Sequence, residues 1–376
     1  MTSKRWFLNL PWGMVTIIFA IAFIGLTAVY SATFTSKNPS PLFYKQVIWV
    51  AIGLVVMFLA LIPDYHTIGR YAYILYALSL VLLILVMLFG RTGMGAQRWL
   101  AIGSFAFQPS ELAKLSITLA LARYFAEDPR QGGYSIRDLV IPGIMVLVPL
   151  LLVLKQPDLG TALMLILMTA LLTMIAGIQL RSVLIVFIIG ALTASLILFV
   201  PPVQRKIWSS LKPYQQNRIR AFLDPSSDRL GSGYHANQSK IAVGSGQITG
   251  KGFRKGTQSQ MAFLPERHTD FIFAVIAEEA GLLGASTLIL LYLTLLLIGI
   301  DTARNAKDRL GVLMASGIVS MIFLYVFINV GMAEGIVPVV GVPLPLVSYG
   351  GTSIITTFLA LGLLLNIQAR RFMLFY

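Results

Sequence analysis

The sequence predicts an all-α polytopic membrane protein of about ten transmembrane helices, with one long extracytoplasmic loop between helices 7 and 8. Three observations predict it. Of the 376 residues, 57% are hydrophobic and only 12% are charged, about half the charged fraction of an ordinary soluble domain. Mean hydropathy is +0.81, and a soluble fold of this composition would leave large apolar patches in water. Apolar runs of the roughly 20 residues that a helix needs to cross a bilayer recur along the chain. Disorder is excluded by the same composition. The absence of cysteine excludes disulfides, thiolate nucleophiles and cysteine-bound metals. His66, His235 and His268 are scattered, which argues against a histidine-rich metal site.

In chain order the runs fall near 12–32, 45–63, 71–90, 110–126, 138–154, 160–178, 182–202, 270–300, 311–333 and 348–368. Each is read as a helix, because an open strand in lipid leaves its backbone groups unpaired. Lys4 and Arg5 precede the first run as in a signal peptide, but the run is too long and lacks a small-residue cleavage site. It is read as an uncleaved first helix. The whole chain, 1–376, is then one transmembrane domain, with 203–269 as a large basic loop within it.

The basic residues set the orientation. With the N-terminus inside, twelve Lys and Arg fall in cytoplasmic connections and five in short outer ones (Lys37, Lys45, Arg91, Arg98 and Lys155). That excess predicts both termini in the cytoplasm. Segment 203–269 carries eleven basic residues against Asp224, Asp228 and Glu266, a net of +8. Such a field attracts anions. On an outer membrane face, a phosphorylated lipid fits better than nucleic acid. A solvated loop carrying its own charge is the alternative.

Charged groups inside spans cost roughly 3 kcal/mol each and mark functional sites. With this topology they gather on the outer side. Glu111 and Lys114, three apart, share a helix face in the fourth span and can form an ion pair. Lys155 and Asp158 flank the turn between the fifth and sixth spans. Glu334 and the Ser348-Tyr349-Gly350-Gly351-Thr352-Ser353 turn end the ninth and begin the tenth. Only Glu278 and Glu279 lie deeper, about 12 Å below Asp270 at 1.5 Å per residue. A transporter would place polar groups near the midplane, so chemistry on one face is expected.

Asp270 opens the eighth span. Thr269 is expected to cap the helix there, and the positive helix end favours the carboxylate, whereas burial leaves it able to take a proton. A base and a helix-start stabiliser both remain open at this point. Trp99 reads as an interfacial anchor or a sugar contact. Gly244, Gly246, Gly250, Gly252 and Gly256 lack the strand–turn–helix setting of a nucleotide loop. Lys251, Arg254 and Lys255 among them suggest a flexible phosphate-contacting loop. Pro338, Pro343 and Pro345 forbid a continuous helix before Ser348 and predict an extended or re-entrant turn.

Four blocks carry a resemblance. The run from Ile336 to Ser353 (Ile336-Val337-Pro338 through Pro343-Leu344-Pro345 to Ser348-Tyr349-Gly350-Gly351-Thr352-Ser353) resembles a signature of the shape, elongation, division and sporulation (SEDS) family. So do Phe263 to Ala274, Gln156 to Ala162, and Gly95 to Trp99 together with Gln108 to Lys114. Arg267 after Glu266, and the Gly250 to Gly256 stretch, lean towards the elongation branch. The resemblance implies a ten-helix peptidoglycan glycosyltransferase that polymerises lipid II on the outer face of the cytoplasmic membrane during cell elongation. It implies a class B penicillin-binding protein as partner, among other elongation-machinery proteins. It also implies Asp270 as the catalytic aspartate, Trp99 as a sensitive tryptophan, Glu111 and Lys114 as a structural or regulatory pair, and Asp158 as a further family acid.

The expected reaction needs a base for a sugar hydroxyl and positive charge for a departing diphosphate. Asp270 is the candidate base. Arg218, Arg220 and Lys240 are the candidate diphosphate contacts, with Trp99, His268 and Ser348 as further substrate contacts. A divalent cation would share the charge-offsetting duty, although no ligand cluster marks one. A lipid II flippase and a non-enzymatic scaffold for a transpeptidase are the rival readings.

Overall fold

A computed structural model describes residues 10–371, apart from 35–39, 94–95, 103–104, 129, 131, 211–215, 217–231, 261–262 and 265. The described residues form fourteen helices and one small sheet. In chain order they are α1 (Trp12–Thr33), α2 (Pro41–Leu59), α3 (Tyr65–Arg70), α4 (Ala72–Phe89), β1 (Arg91–Gly93), β2 (Ala96–Ile102), β3 (Phe105–Phe107), α5 (Pro109–Glu127), α6 (Val140–Lys155), α7 (Leu159–Ala176), α8 (Leu180–Phe199), α9 (Pro201–Ser210), α10 (Ser232–Ser245), α11 (Thr257–Gln260), α12 (Ile272–Arg304), α13 (Arg309–Ala333) and α14 (Gly351–Arg370). A helix occupies every expected apolar run. Seven are long and apolar enough to cross a membrane: α1, α2, α4, α7, α12, α13 and α14. The apolar part of α6 and α8 is shorter, and α5, which carries Glu111 and Lys114, is more polar than any of the seven.

Helices α13 and α14 form the centre and are mostly buried, while α2 and α4 expose apolar side chains over most of their surface. That is the pattern of a bundle whose solvent is lipid, where the outside is as apolar as the core. Two glycines set close approaches at the centre. A side chain on Gly53 would strike the Phe358 ring, and one on Gly362 would strike the Met57 backbone, so α2 and α14 pack almost backbone to backbone.

Three features add to the expected fold. Beside the helices, 91–93, 96–102 and 105–107 pair as an antiparallel sheet in the order β1-β2-β3, with Arg91 opposite Trp99 and Leu100 opposite Phe107. The eighth span is not a single helix. Gly281 has φ 63 and ψ −162 inside α12, a conformation that costs other residues steric strain. The region 203–269 is not simply a loop, since α10 packs against α12 and α13. As the prolines predict, no helix forms between Ala333 and Gly351.

Candidate functional site

One end of the bundle gathers the four motif blocks, and Asp270 lies in a turn that starts at Glu266. The carbonyl of Glu266 accepts from the Thr269 and Phe271 amides at 3.1 and 3.4 Å, and from Thr269 Oγ1 at 3.1 Å. Glu266 itself has φ 50, a backbone conformation that a non-glycine residue holds only when its surroundings enforce it. Here they do. Three consecutive carbonyls of the turn are taken by other elements. Tyr349 N–H donates to His268 O at 2.8 Å, Ser348 Oγ to Thr269 O at 2.6 Å, and Asn329 Nδ2 to Asp270 O at 3.0 Å. Asn329 also donates to Val342 O at 2.7 Å, and Gln46 Nε2 holds Ser348 O at 3.1 Å. The Asp270 position is thereby fixed from α2, α13 and the 342–349 turn together.

The expected cap is different. The helix begins at Ile272 with no side-chain cap at Phe271, and the Thr269 hydroxyl turns back to Glu266. The macrodipole argument for Asp270 therefore loses its geometry. The Asp270 carboxyl instead faces Gly341: a side-chain carbon placed there would lie 3.3 Å from Asp270 Oδ2. Gly341 has φ 77, so bulk is excluded by both backbone and neighbour.

Ser348 is buried, and its oxygen also accepts from Leu344 N at 2.8 Å, so it braces the turn. His268 lies against Tyr349, ring centroids 5.6 Å apart, and opens onto a cleft of about 320 Å³. Thr33, Ser40, Leu42, Glu266 and Arg267 share that lining. Burial pulls the His268 imidazole below its ordinary range, against the raising effect of Glu266 and with a smaller lowering one from Arg267.

On another side of the same end, Glu111 Oε1 accepts from Lys114 Nζ at 2.7 Å and Glu111 Oε2 from Tyr325 OH at 2.6 Å. The ammonium lies 4.6 Å from the centre of the Tyr325 ring. Both charged residues are buried, and the phenol completes the pairing that a buried carboxylate needs. Asp158 caps α7 through Thr161 N and Oγ1 at 3.1 and 3.0 Å, with Arg98 Nε at 3.9 Å. Arg98 also reaches the Pro157 carbonyl. The sheet thus carries Trp99, half-buried in β2, to the QPD block. The Gln108 amide donates to Thr352 Oγ1 at 3.0 Å, joining the Gln108 to Lys114 block to the signature turn.

Lys240 crosses Gly335, whose φ of 70 and missing side chain leave room for the lysine stem. Arg218 and Arg220 lie outside the described residues. Lys251 and Arg254, expected in a flexible phosphate loop, are engaged elsewhere: Lys251 pairs with Glu278 at 2.7 Å, and Arg254 lies 3.4 Å from the Phe34 ring centre. Among the described residues, no group of three or more His, Asp and Glu side chains is arranged to hold a metal ion. Sequence reasoning missed Asn329 and Gln46. Their signal was an amide inside an otherwise apolar span, where an unmatched polar group is costly.

The cell cycle protein family that groups FtsW, RodA and SpoVE matches residues 11–372. The chain belongs to this family, the SEDS proteins. It is 41% identical to the peptidoglycan glycosyltransferase MrdB of Escherichia coli K12 over 363 residues, 96% of this chain and 94% of that protein. It is 32% identical to the peptidoglycan glycosyltransferase RodA of Treponema pallidum, covering 95% of this chain and 97% of that one. Among solved structures it resembles a chain from work on the structural coordination of polymerization and crosslinking by a peptidoglycan synthase complex. There the TM-score is 0.80 at 34% identity, covering 96% and 98% of the two chains. The crystal structure of rod-shape-determining protein RodA from Thermus thermophilus matches with TM-score 0.70 and 31% identity over 97% and 98%. This SEDS protein is a multi-pass membrane protein.

Proposed function

We propose that this SEDS protein joins lipid-linked disaccharides with Asp270 as the general base, at the outer face of the cytoplasmic membrane. The chain is a peptidoglycan glycosyltransferase, like its full-length relatives; the residue roles are our reading. One observation carries that reading. The Asp270 turn has its His268, Thr269 and Asp270 carbonyls all held by donors from other elements, and such pre-positioning is what a base needs to act at a fixed distance.

In the reaction, the 4-hydroxyl oxygen of one lipid-linked disaccharide attacks the anomeric carbon of the growing strand. Its proton passes to the Asp270 carboxylate. The bond from the anomeric carbon to the diphosphate oxygen breaks, and its electron pair leaves with the polyprenyl diphosphate. Lys240 supplies positive charge on the side of that leaving group, and Arg218 and Arg220 are assigned the same duty. Electrostatic stabilisation of this kind is commonly the largest single contribution to catalysis. Glu111 and Lys114 brace α5 against α13 through Tyr325. The flippase alternative needs a polar path past Glu278 and Glu279, whose carboxylates are instead engaged by the 251–259 segment and Ser31.

Both termini are assigned to the cytoplasm, from the basic residues of the short connections. A class B penicillin-binding protein is assigned as the partner, in the elongation machinery. The deciding experiment incubates purified protein with lipid II and resolves glycan strands on a gel. Wild type should yield polymer and Asp270→Asn should yield none while remaining folded. Polymer at the wild-type rate from Asp270→Asn removes Asp270 as the base.

A further inference from the structure

The carboxylate of Glu278 takes no part in the reaction above, yet it is wholly buried two helical turns beyond Asp270. Its partners come from one segment. Lys251 Nζ donates at 2.7 Å, Thr257 Oγ1 at 3.2 Å, Gln258 N at 2.9 Å and Ser259 N at 3.1 Å. The same segment completes the helix where Gly281 breaks it. Lys251 N and Gly252 N donate to the Glu278 and Glu279 carbonyls at 3.0 Å each, while Leu282 N and Leu283 N donate to Gln247 O and Ile248 O at 2.8 and 3.1 Å. Gly250 and Gly281 meet backbone to backbone, with a carbon on Gly281 falling 2.4 Å from Gly250 N. Four backbone groups freed by the break are therefore paired, as their burial demands.

The contact passes onward to the catalytic turn. Ser259, whose amide is held by Glu278, accepts at its own carbonyl from the Arg267 guanidinium. Arg267 Nε also donates to Ala32 O at 2.7 Å. On the neighbouring face, Ser31 Oγ donates to Glu279 and Ser31 O accepts from Gln260 Nε2 at 3.1 Å. The broken helix, the 251–260 segment, the end of α1 and the turn carrying Arg267 and Asp270 thus form one closed circuit. An ion pair whose carboxylate is wholly buried and whose lysine is half-buried adds little net stability compared with apolar side chains of the same shape, which leaves its expense to be explained by placement.

We propose that Glu278 and Lys251 are positioning residues for the polymerase: their ion pair across the Gly281 break fixes Ser259, and through it Arg267 and the turn that presents Asp270. The proposal rests on the reading of Asp270 as the base. A purely structural pair would change stability and leave the turnover of folded enzyme intact. A misplacement near 1 Å at a reacting group, in contrast, costs up to about 10²-fold in rate.

The test uses full-length protein in detergent with lipid II, comparing Lys251→Met, Lys251→Arg, Glu278→Gln and Asp270→Asn. Lys251→Met and Glu278→Gln should lower kcat roughly 10- to 100-fold with KM for lipid II little changed. In both, hydrogen exchange at the Thr269 and Phe271 amides should accelerate, because their bonds to Glu266 O define the turn. Lys251→Arg should retain turnover. Asp270→Asn should be inactive with unaltered exchange at those two amides; an active Asp270→Asn would sink the base assignment alone, leaving the exchange data to judge the Glu278–Lys251 pair. Wild-type kcat in folded Lys251→Met, or unchanged exchange at Thr269 and Phe271 in it, overturns the proposal. Lys251→Met decides the matter by itself if Glu278→Gln does not fold.

Discussion

The Asp270 turn and the cluster at the far end of the bundle use polar groups in opposite ways. At the Asp270 end, the donors that fix the turn are a backbone amide, a hydroxyl and an amide side chain, and they bind carbonyls. At the far end, ionic side chains bind one another. His66 lies 2.8 Å from Asp64 and also contacts Asp308, Tyr65 OH donates to Asp308 at 3.0 Å, and Arg370 lies 3.6 Å from Asp64. Arg370 further donates to Leu61 O and Ile62 O at 3.0 and 3.2 Å. The far cluster clamps the connections α2–α3 and α12–α13 to the last helix. The contrast teaches that ionic side chains tie the connections together in one place, whereas the Asp270 turn is held through its carbonyls by uncharged donors.

The sharpest way to break the comparison is to remove one acid from each end. Asp270→Asn should cut strand synthesis by about 10²- to 10⁴-fold, the usual worth of a general base. Asp308→Asn should leave it unchanged, and equal losses in a lipid II polymerisation assay would erase the distinction. Next in size, Lys114→Met strands the buried Glu111 and should destabilise the protein by about 3–5 kcal/mol, read as unfolding in detergent. Adding Glu111→Gln to that variant should recover much of the loss; no recovery would mean that the pair matters for something other than compensated charge.

A smaller effect is expected from Asn329→Ala, which removes the donor to Asp270 O and Val342 O. Leaving those buried carbonyls unpaired costs about 1–3 kcal/mol, and turnover should fall with stability. Retained turnover would show that Tyr349 and Ser348 suffice to hold the turn. The smallest is a pH effect. Burial depresses the folded-state affinity of His268 for its proton, so the unfolded chain protonates first. Its contribution to stability is complete above pH about 6.5 and is lost as pH falls from there towards the folded value. Unfolding curves for wild type and His268→Gln should diverge in slope only below that point.

The periodic apolar runs made the helices legible, because each bilayer crossing must satisfy its own backbone and avoid charge. The grouping of Asp270, Asp158, Glu111 and Ser348 at one end was legible too, from alternation of the spans. The details were not. The Gly281 break looked like continuous helix because its flanks, Ala280 and Leu282-Leu283, are good helix formers. The sheet of β1, β2 and β3 was missed because two of its strands have only three residues each. Nor was it legible that the Ser348 oxygen, which lies between Leu344 N and Thr269 O, braces the turn.

By itself, then, the amino-acid order determined the membrane class, the places of the helices and the grouping of Asp270, Asp158, Glu111 and Ser348 at one end, since these follow from hydropathy and charge counted along one dimension. Only the tertiary structure decided what each polar group does. Asn329, Gln46 and Lys251 act on partners 59, 302 and 27 positions away, and hydrogen bonds of that reach leave no periodic trace along the chain.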